Sequence, residues 1–163
     1  MKIKVINEIP KNSSVKYEYC QKEKRIVVDR ILAGSEKYPT NYGFIPDTLD
    51  DDGDPLDVLI FCHQRILPNV MVEVRVVGML EIIDDGEIDN KIISVVENDP
   101  FNKEINDIFD LKEHEKKVVK NFFENYKKLE NKVVNVKNFV AKEKAVLFIE
   151  KTRKKYLDNK NNC

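Results

Sequence analysis

Five aspartates stand within eight residues of this chain: Asp50, Asp51, Asp52, Asp54 and Asp57. Held so close they repel one another, and only cations or full solvation relieve the cost. The run nevertheless leads straight into Val58-Leu59-Ile60-Phe61, an apolar segment that belongs in a core. Asp57 therefore stands where a strand enters the interior, a poor place for a solvated charge. An acidic surface loop is the plain alternative, and burial at its edge favours metal over it. Oxygen ligands alone select a hard cation such as Mg²⁺, Mn²⁺ or Ca²⁺. An EF-hand fails in both registers. Started at Asp50, the loop has Pro55 where glycine is required and Phe61 where the bidentate Glu belongs; started at Thr48, it ends on Leu59. His63 and His114 are too few and too isolated for zinc and read as structural or surface residues.

A second set of carboxylates lies in Asp84-Asp85-Gly86-Glu87-Ile88-Asp89-Asn90-Lys91. Taken alone it is an ordinary acidic turn. Lys91 follows Asp89 by two, so on an extended strand both point the same way. That pair is either a surface salt bridge or a metal ligand beside a phosphate anchor. Cations meant for phosphate belong near the acids, together with phenols. Lys16 and Glu18 share a strand face, Arg30 ends an apolar strand, Tyr38 and Tyr42 flank a loop stiffened by Pro39 and Gly43, and Tyr126-Lys127 lies on a helix. Each has a bland counterpart: a surface pair, a strand-end charge, a helix-core aromatic. Single residues do not decide between them.

The elements that must position these groups follow from periodicity. At 163 residues the chain is long enough to bury a core without staples, and no linker or repeat divides it, so residues 1–163 read as one domain. VKYEYC (15–20), RIVVDRI (25–31), PLDVLIF (55–61), VMVEVRVVGML (70–80) and KIISVVE (91–97) read as strands, with Val15, Tyr17 and Tyr19 on one face of the first. DDGEIDN (84–90) reads as the turn between the last two. From Leu111 to Asn131 apolar residues at 118, 119, 122, 123, 126 and 129 keep helical spacing. A second helix is expected over Ala141 to Leu157, with Ala145, Phe148, Ile149, Thr152 and Tyr156 inward, and the polar tail LDNKNNC is expected to fray. Strands followed by helices make an α+β domain, mainly β, and a closed barrel with helices outside would leave no exposed strand edges.

Composition narrows the function classes. Lys+Arg number 28 and Asp+Glu 29, a balance that counts against a nucleic-acid binder. Cys20, Cys62 and Cys163 are odd in number and far apart, which is no disulfide framework. The N-terminal residues hold no apolar run of signal-peptide length, and no stretch approaches a membrane span, so a reducing, cytoplasmic location is the expectation.

Together these pieces resemble the family I soluble inorganic pyrophosphatases. Asp52-Gly53-Asp54-Pro55-Leu56-Asp57-Val58 matches that family's signature at every position. Around it Glu8-Ile9-Pro10, Lys16-Tyr17-Glu18, Val28-Asp29-Arg30, Tyr38-Pro39-Thr40-Asn41-Tyr42-Gly43, Asp84 with Asp89 and Lys91, and Phe122-Phe123-Glu124-Asn125-Tyr126-Lys127 fall in the family's order, from about residue 5 to residue 130. The resemblance implies a five-stranded OB-like closed barrel with flanking C-terminal helices, and Mg²⁺-dependent hydrolysis of pyrophosphate at one mouth of the barrel. Manganese or another divalent ion is a possible substitute. It further implies that Asp52, Asp57 and Asp89 hold the first metal, with Asp57 bridging to a second. Asp84 with Asp89 would hold another, and Glu18 would support one through water. Asp54 would orient the attacking water and take its proton. Lys16, Arg30, Lys91, Tyr126 and Lys127 would grip the phosphoryl groups, with Glu8, Tyr38 and Tyr42 in support. By the same analogy a chain this short is expected to form a homohexamer. Two other readings are weaker. A nucleoside di- or triphosphate hydrolase lacks here its Gly-rich phosphate loop. An OB-like module binding single strands needs a positive groove, and the most distinctive loop is acidic.

Overall fold

A computed structural model of the chain describes residues 1–161. Nine strands and two α-helices follow one another as β1 (Lys2–Ile9), β2 (Val15–Cys20), β3 (Arg25–Ile31), β4 (Asn41–Phe44), β5 (Asp57–Phe61), β6 (Val70–Asp84), β7 (Glu87–Ile88), β8 (Lys91–Val96), α1 (Glu113–Asn125), β9 (Val134–Ala141) and α2 (Lys142–Asn161). Five of the strands close on themselves in the order β1-β4-β5-β8-β6 and back to β1. Every step is antiparallel except β5 with β8, which run parallel. The expected barrel is therefore present, with β2 and β3 forming a separate hairpin.

The long strand β6 makes closure possible because it serves three neighbours in succession. Lys2–Asn7 of β1 pair with Val70–Arg75, β8 pairs with Val74–Leu80, and β9 takes over from Gly78 to Asp84. A bulge between Val76 and Gly78 reverses which residues face which side. Before it Val72, Val74 and Val76 join the cluster under α2; after it Leu80 and Ile82 join the cluster under α1, and Met79 joins the first. β5 shows the period of two plainly. Val58 and Ile60 pack toward Ala145 and Ile149 of α2, while Leu59 and Phe61 belong with Phe122 and Phe123 of α1. Both faces of this strand are buried, which is why its sequence is apolar without alternation.

Several elements depart from the sequence expectations. β1, β4 and β9 were not anticipated, nor was β7 within the expected turn 84–90, and β6 runs on to Asp84 rather than stopping at Leu80. The first helix covers Glu113–Asn125 only; a short 3₁₀ turn at Lys128–Glu130 follows, closed by Asn131 in the left-handed region at φ 58°. Helical spacing no longer governs there, so Leu129 is solvent-exposed. The second helix extends through Asn161, so most of the tail expected to fray is helical, while Cys163 lies outside the described residues. Of its expected inward residues Ala145, Ile149 and Thr152 are buried, and Phe148 and Tyr156 are half-buried. Cys20 and Cys62 are free thiols. His63 stacks on Phe101 with centroids 4.4 Å apart, and His114 is exposed on α1, as the structural or surface reading required. Among the described residues no helix is long and apolar enough to cross a membrane.

Gly43 carries the closest backbone approach in the barrel. A Cβ there would collide with the Ile6 carbonyl oxygen and lie 2.8 Å from its carbonyl carbon and 2.9 Å from Asn7 Cα. Gly43→Ala is expected to force β1 and β4 apart and cost about 3 kcal/mol, read as a lower urea midpoint with unchanged slope. An unchanged midpoint would show that the seam between these strands is not under steric constraint.

Candidate active site

The strand ends converge on one rim of the barrel, where a cavity of about 500 Å³ opens. Asp57 is the first residue of β5, Lys91 the first of β8, Asp84 the last of β6, and Glu8 lies next to last on β1. The turn Asp85-Gly86 joins β6 to β7 with both residues at positive φ, 50° and 91°, the two-residue hairpin geometry for which Asp-Gly is suited. It sets Asp84 and Asp89 on the same rim. On the opposite side the aspartate loop is folded tightly: Asp50 N–H donates to the Asp54 carbonyl (2.8 Å), Asp54 N–H to Asp52 Oδ1 (2.9 Å), and Gly53 supplies φ 93°.

Of the residues singled out in the sequence, Glu8, Lys16, Glu18, Tyr38, Tyr42, Asp52, Asp54, Asp57, Asp84, Asp89, Lys91, Tyr126 and Lys127 all line this cavity. Arg30 does not. Its guanidinium turns to Asp29 (3.2 Å) and to Glu130, 3.0 Å from Nε, although that N–H is not aimed at the carboxylate and makes no hydrogen bond. Its charge still reaches the phenols of Tyr38 and Tyr126 and partly offsets the effects that raise their pKa values. Tyr17, Tyr19, Gln21, Asp85, Glu87 and Lys132 also line the cavity without having been assigned there. Four consecutive residues of β2, Lys16, Tyr17, Glu18 and Tyr19, line the cavity, so the hairpin contributes more to its wall than every second side chain. The acidic turn already pointed to Asp85 and Glu87; Lys132, just past the left-handed Asn131, had no local signal.

The charges are paired in a definite way. Lys91 is only 3% exposed, and its Nζ lies 2.5 Å from both Asp57 Oδ2 and Asp89 Oδ1. Burial alone would lower its pKa, but the two carboxylates outweigh it and hold the ammonium above the ordinary lysine value. The Tyr42 hydroxyl donates to the same Asp57 oxygen at 2.6 Å. Lys127 is paired with Asp84, and Lys16 with Asp29 at 3.3 Å. Desolvation raises Asp89, and desolvation followed by the charges of Asp52 and Asp57 raises Asp54. Tyr38, Tyr42 and Tyr126 are all raised, first by burial and then by neighbouring charge, so these phenols stay protonated donors.

Nine carboxylates and four lysines line the cavity. Each of Glu18, Asp52, Asp54, Asp57, Asp84 and Asp89 keeps at least one oxygen that accepts nothing from the described residues. Among the described residues no three His, Cys, Asp or Glu side chains close around a single point; Lys91 stands between Asp57 and Asp89, and Lys127 is drawn to Asp84. The donor set is all oxygen, negative in excess, and fits a hard divalent cation.

Glu8 is the most perturbed acid. Its Oε1 accepts from Tyr19 N–H at 2.7 Å, yet burial pushes its pKa from 4.5 up to about 8. The folded protein therefore keeps a proton that the unfolded chain has lost, so metal-free stability falls as pH rises from 4.5 towards about 8. Glu8→Gln keeps an acceptor for Tyr19. It is expected to be more stable than the parent by on the order of a few kcal/mol at pH 9, with the gain shrinking towards pH 5, in urea titrations with EDTA. A difference independent of pH would refute this origin.

Comparison with known proteins completes the description. A family model described as Inorganic pyrophosphatase matches residues 5–157. The chain is 54% identical over 139 residues to a protein of Malacoplasma penetrans (strain HF-2) named Inorganic pyrophosphatase, covering 85% of this chain and 77% of the relative. It is 45% identical over 159 residues to the protein of that name from Nanoarchaeum equitans (strain Kin4-M), covering 96% of one and 98% of the other. Among solved structures, that of the Thermus thermophilus inorganic pyrophosphatase superposes with TM-score 0.92 at 40% identity, covering 95% of this chain and 91% of that one. The Helicobacter pylori enzyme gives TM-score 0.93 at 41% identity, covering 96% and 94%.

Proposed function

As a member of the inorganic pyrophosphatase family, the chain hydrolyses pyrophosphate with the aid of a divalent metal, and we propose that it does so with Mg²⁺ held in the carboxylate-lined cavity. The observation that carries this reading is the charge imbalance of that cavity, eight carboxylates besides the buried, protonated Glu8 against four lysines. A polyanionic substrate would be repelled by such a wall unless cations were bound first.

Asp52, Asp57 and Asp89 would hold the first ion, Asp57 would reach a second, Asp84 with Asp89 would hold a further one, and Glu18 would support another through water. Such ions supply Lewis acidity at phosphate oxygens and lower the pKa of water toward neutrality. The remaining chemistry belongs to the chain. Asp54 makes no ion pair among the described residues, and its raised pKa suits it to take a proton from the attacking water. With Asp57, Asp89 and Asp84 otherwise neutralised, the ammonium groups of Lys91 and Lys127 are free to turn to phosphoryl oxygens. Tyr126 donates a hydrogen bond from the same wall, and Lys16 adds its charge from β2. Arg30 serves at a distance, from behind the phenols. Glu8, Tyr38 and Tyr42 brace the floor, Tyr42 by its bond to Asp57. Mn²⁺ would substitute for Mg²⁺, a cytoplasmic enzyme would meet its substrate there, and the assembly would be a homohexamer, read by sedimentation.

Phosphate release from pyrophosphate with Mg²⁺, and its loss in EDTA, test the reading; a preference for ATP would overturn it. Asp54→Asn is expected to lower kcat by about 10²–10⁴-fold while metal binding survives. Asp57→Asn is expected to weaken Mg²⁺ binding by about tenfold or more, since affinity follows ligand charge. Unchanged calorimetric affinity in that variant would remove Asp57 from the ligand set.

A further inference from the structure

The loop that carries Asp52 and Asp54 is fixed from two sides. At its base Thr48, buried, donates from Oγ1 to the Ile45 carbonyl (2.6 Å) and accepts from Leu56 N–H (2.8 Å). Its other attachment comes from α2, about a hundred residues away in sequence. Leu49 N–H donates to the Thr152 carbonyl (3.1 Å), and Lys155 Nζ donates to the Asp50 carbonyl (2.9 Å) while lying 2.7 Å from Asp51 Oδ1. Ala145, Ile149 and Thr152 are the buried stripe of α2, half-buried Tyr156 continues it, and Lys155 stands beside that stripe. From the flank of the stripe the lysine reaches out to the loop.

We propose that Lys155 is a positioning residue for the pyrophosphatase reaction: from α2 it clamps the Asp50 carbonyl and so sets where Asp52 and Asp54 stand. The proposal rests on the functional reading of those two aspartates. The Asp51 half of the contact is a solvent-exposed ion pair and carries little, because such pairs are worth about 0–1 kcal/mol. The carbonyl half is the constraint. Asp50 N–H closes the loop onto Asp54, and Gly53 N–H closes back onto the Asp50 carbonyl (3.3 Å), so the peptide that Lys155 holds is the one on which the turn is built. The ammonium also adds positive charge behind a run of five aspartates, easing their repulsion without entering the cavity. Supports of this kind around a metal site typically contribute about 10–100-fold in affinity or rate.

The test compares Lys155→Met, Lys155→Arg and Asp51→Asn in the full chain. In metal-free protein, amide hydrogen exchange at Asp50, Gly53 and Asp54 is expected to quicken by about tenfold in Lys155→Met, with barrel amides unchanged. Calorimetric Mn²⁺ affinity is expected to fall by about tenfold, and kcat at saturating metal to drop more than KM rises. Lys155→Arg keeps a donor and should restore both; Asp51→Asn should leave both near the parent. Parent-like loop exchange and Mn²⁺ affinity in Lys155→Met would overturn the proposal, as would a matching acceleration of the barrel amides, which would make the effect global. Full activity of Asp54→Asn would instead sink the functional reading and leave the loop measurements standing.

Discussion

Like charges packed into a half-dry space constrain everything else in this protein. Two carboxylates roughly 4 Å apart repel by about 4 kcal/mol at an effective dielectric of about 20. The barrel mouth gathers eight such groups, besides protonated Glu8, within a cavity of about 500 Å³. Part of the repulsion is relieved internally. Lys91 remains charged while almost fully buried only because Asp57 and Asp89 both contact it, and those carboxylates tolerate desolvation only because Lys91 is there. Lys127 does the same for Asp84. Lysines offset fewer than half of the acids, and the remainder draws in divalent cations, which in turn make the site hospitable to a polyanion.

Such a concentration of charge is sustainable only on a stiff frame, and the five-stranded ring provides one. Acidic and basic residues sit at strand ends, where backbone pairing stops and side chains meet solvent, while the interiors of β5 and β8 behind them are apolar on both faces but for Ser94, whose hydroxyl donates to the Leu59 carbonyl (3.0 Å). Each buried Val, Leu or Ile there contributes about 1.5–3 kcal/mol, which offsets the electrostatic cost at the rim. The helices complete the arrangement differently. α1 delivers Tyr126 and Lys127 just past its C-terminal end, and α2 backs the aspartate loop. Chemistry at the mouth therefore depends on packing on both sides of the sheet.

The site was more legible in the sequence than the fold that carries it. Asp52, Asp54 and Asp57 stood out because five aspartates beside VLIF violate the ordinary separation of charge from core. Asp89 and Lys91 were paired by a period of two, and the two side chains do meet, although Asp89 lies just before β8 begins. What stayed hidden depends on long-range pairing. Asn41-Tyr42-Gly43-Phe44 carries a glycine and an asparagine and reads as loop; it is a strand because β1 approaches closely enough to require Gly43. β9 is interrupted by Asn135, Lys137 and Asn138 and becomes a strand only by pairing with the outer half of β6. Arg30 was expected among the phosphate-gripping residues through the family resemblance, its strand-end position alone deciding nothing. The turning of its side chain to Asp29 and Glu130 depends on the 3₁₀ turn after α1, which nothing near Arg30 encodes.

Whether cations must precede the anion is the claim on which the rest stands. Calorimetric titration of imidodiphosphate, a non-hydrolysable diphosphate, into metal-free protein and into protein saturated with Mg²⁺ tests it most directly. Binding only with Mg²⁺ is the expected result, because eight carboxylates face any incoming phosphate. Equal affinity in EDTA would contradict it, and would mean that the lysines and phenols alone hold the substrate.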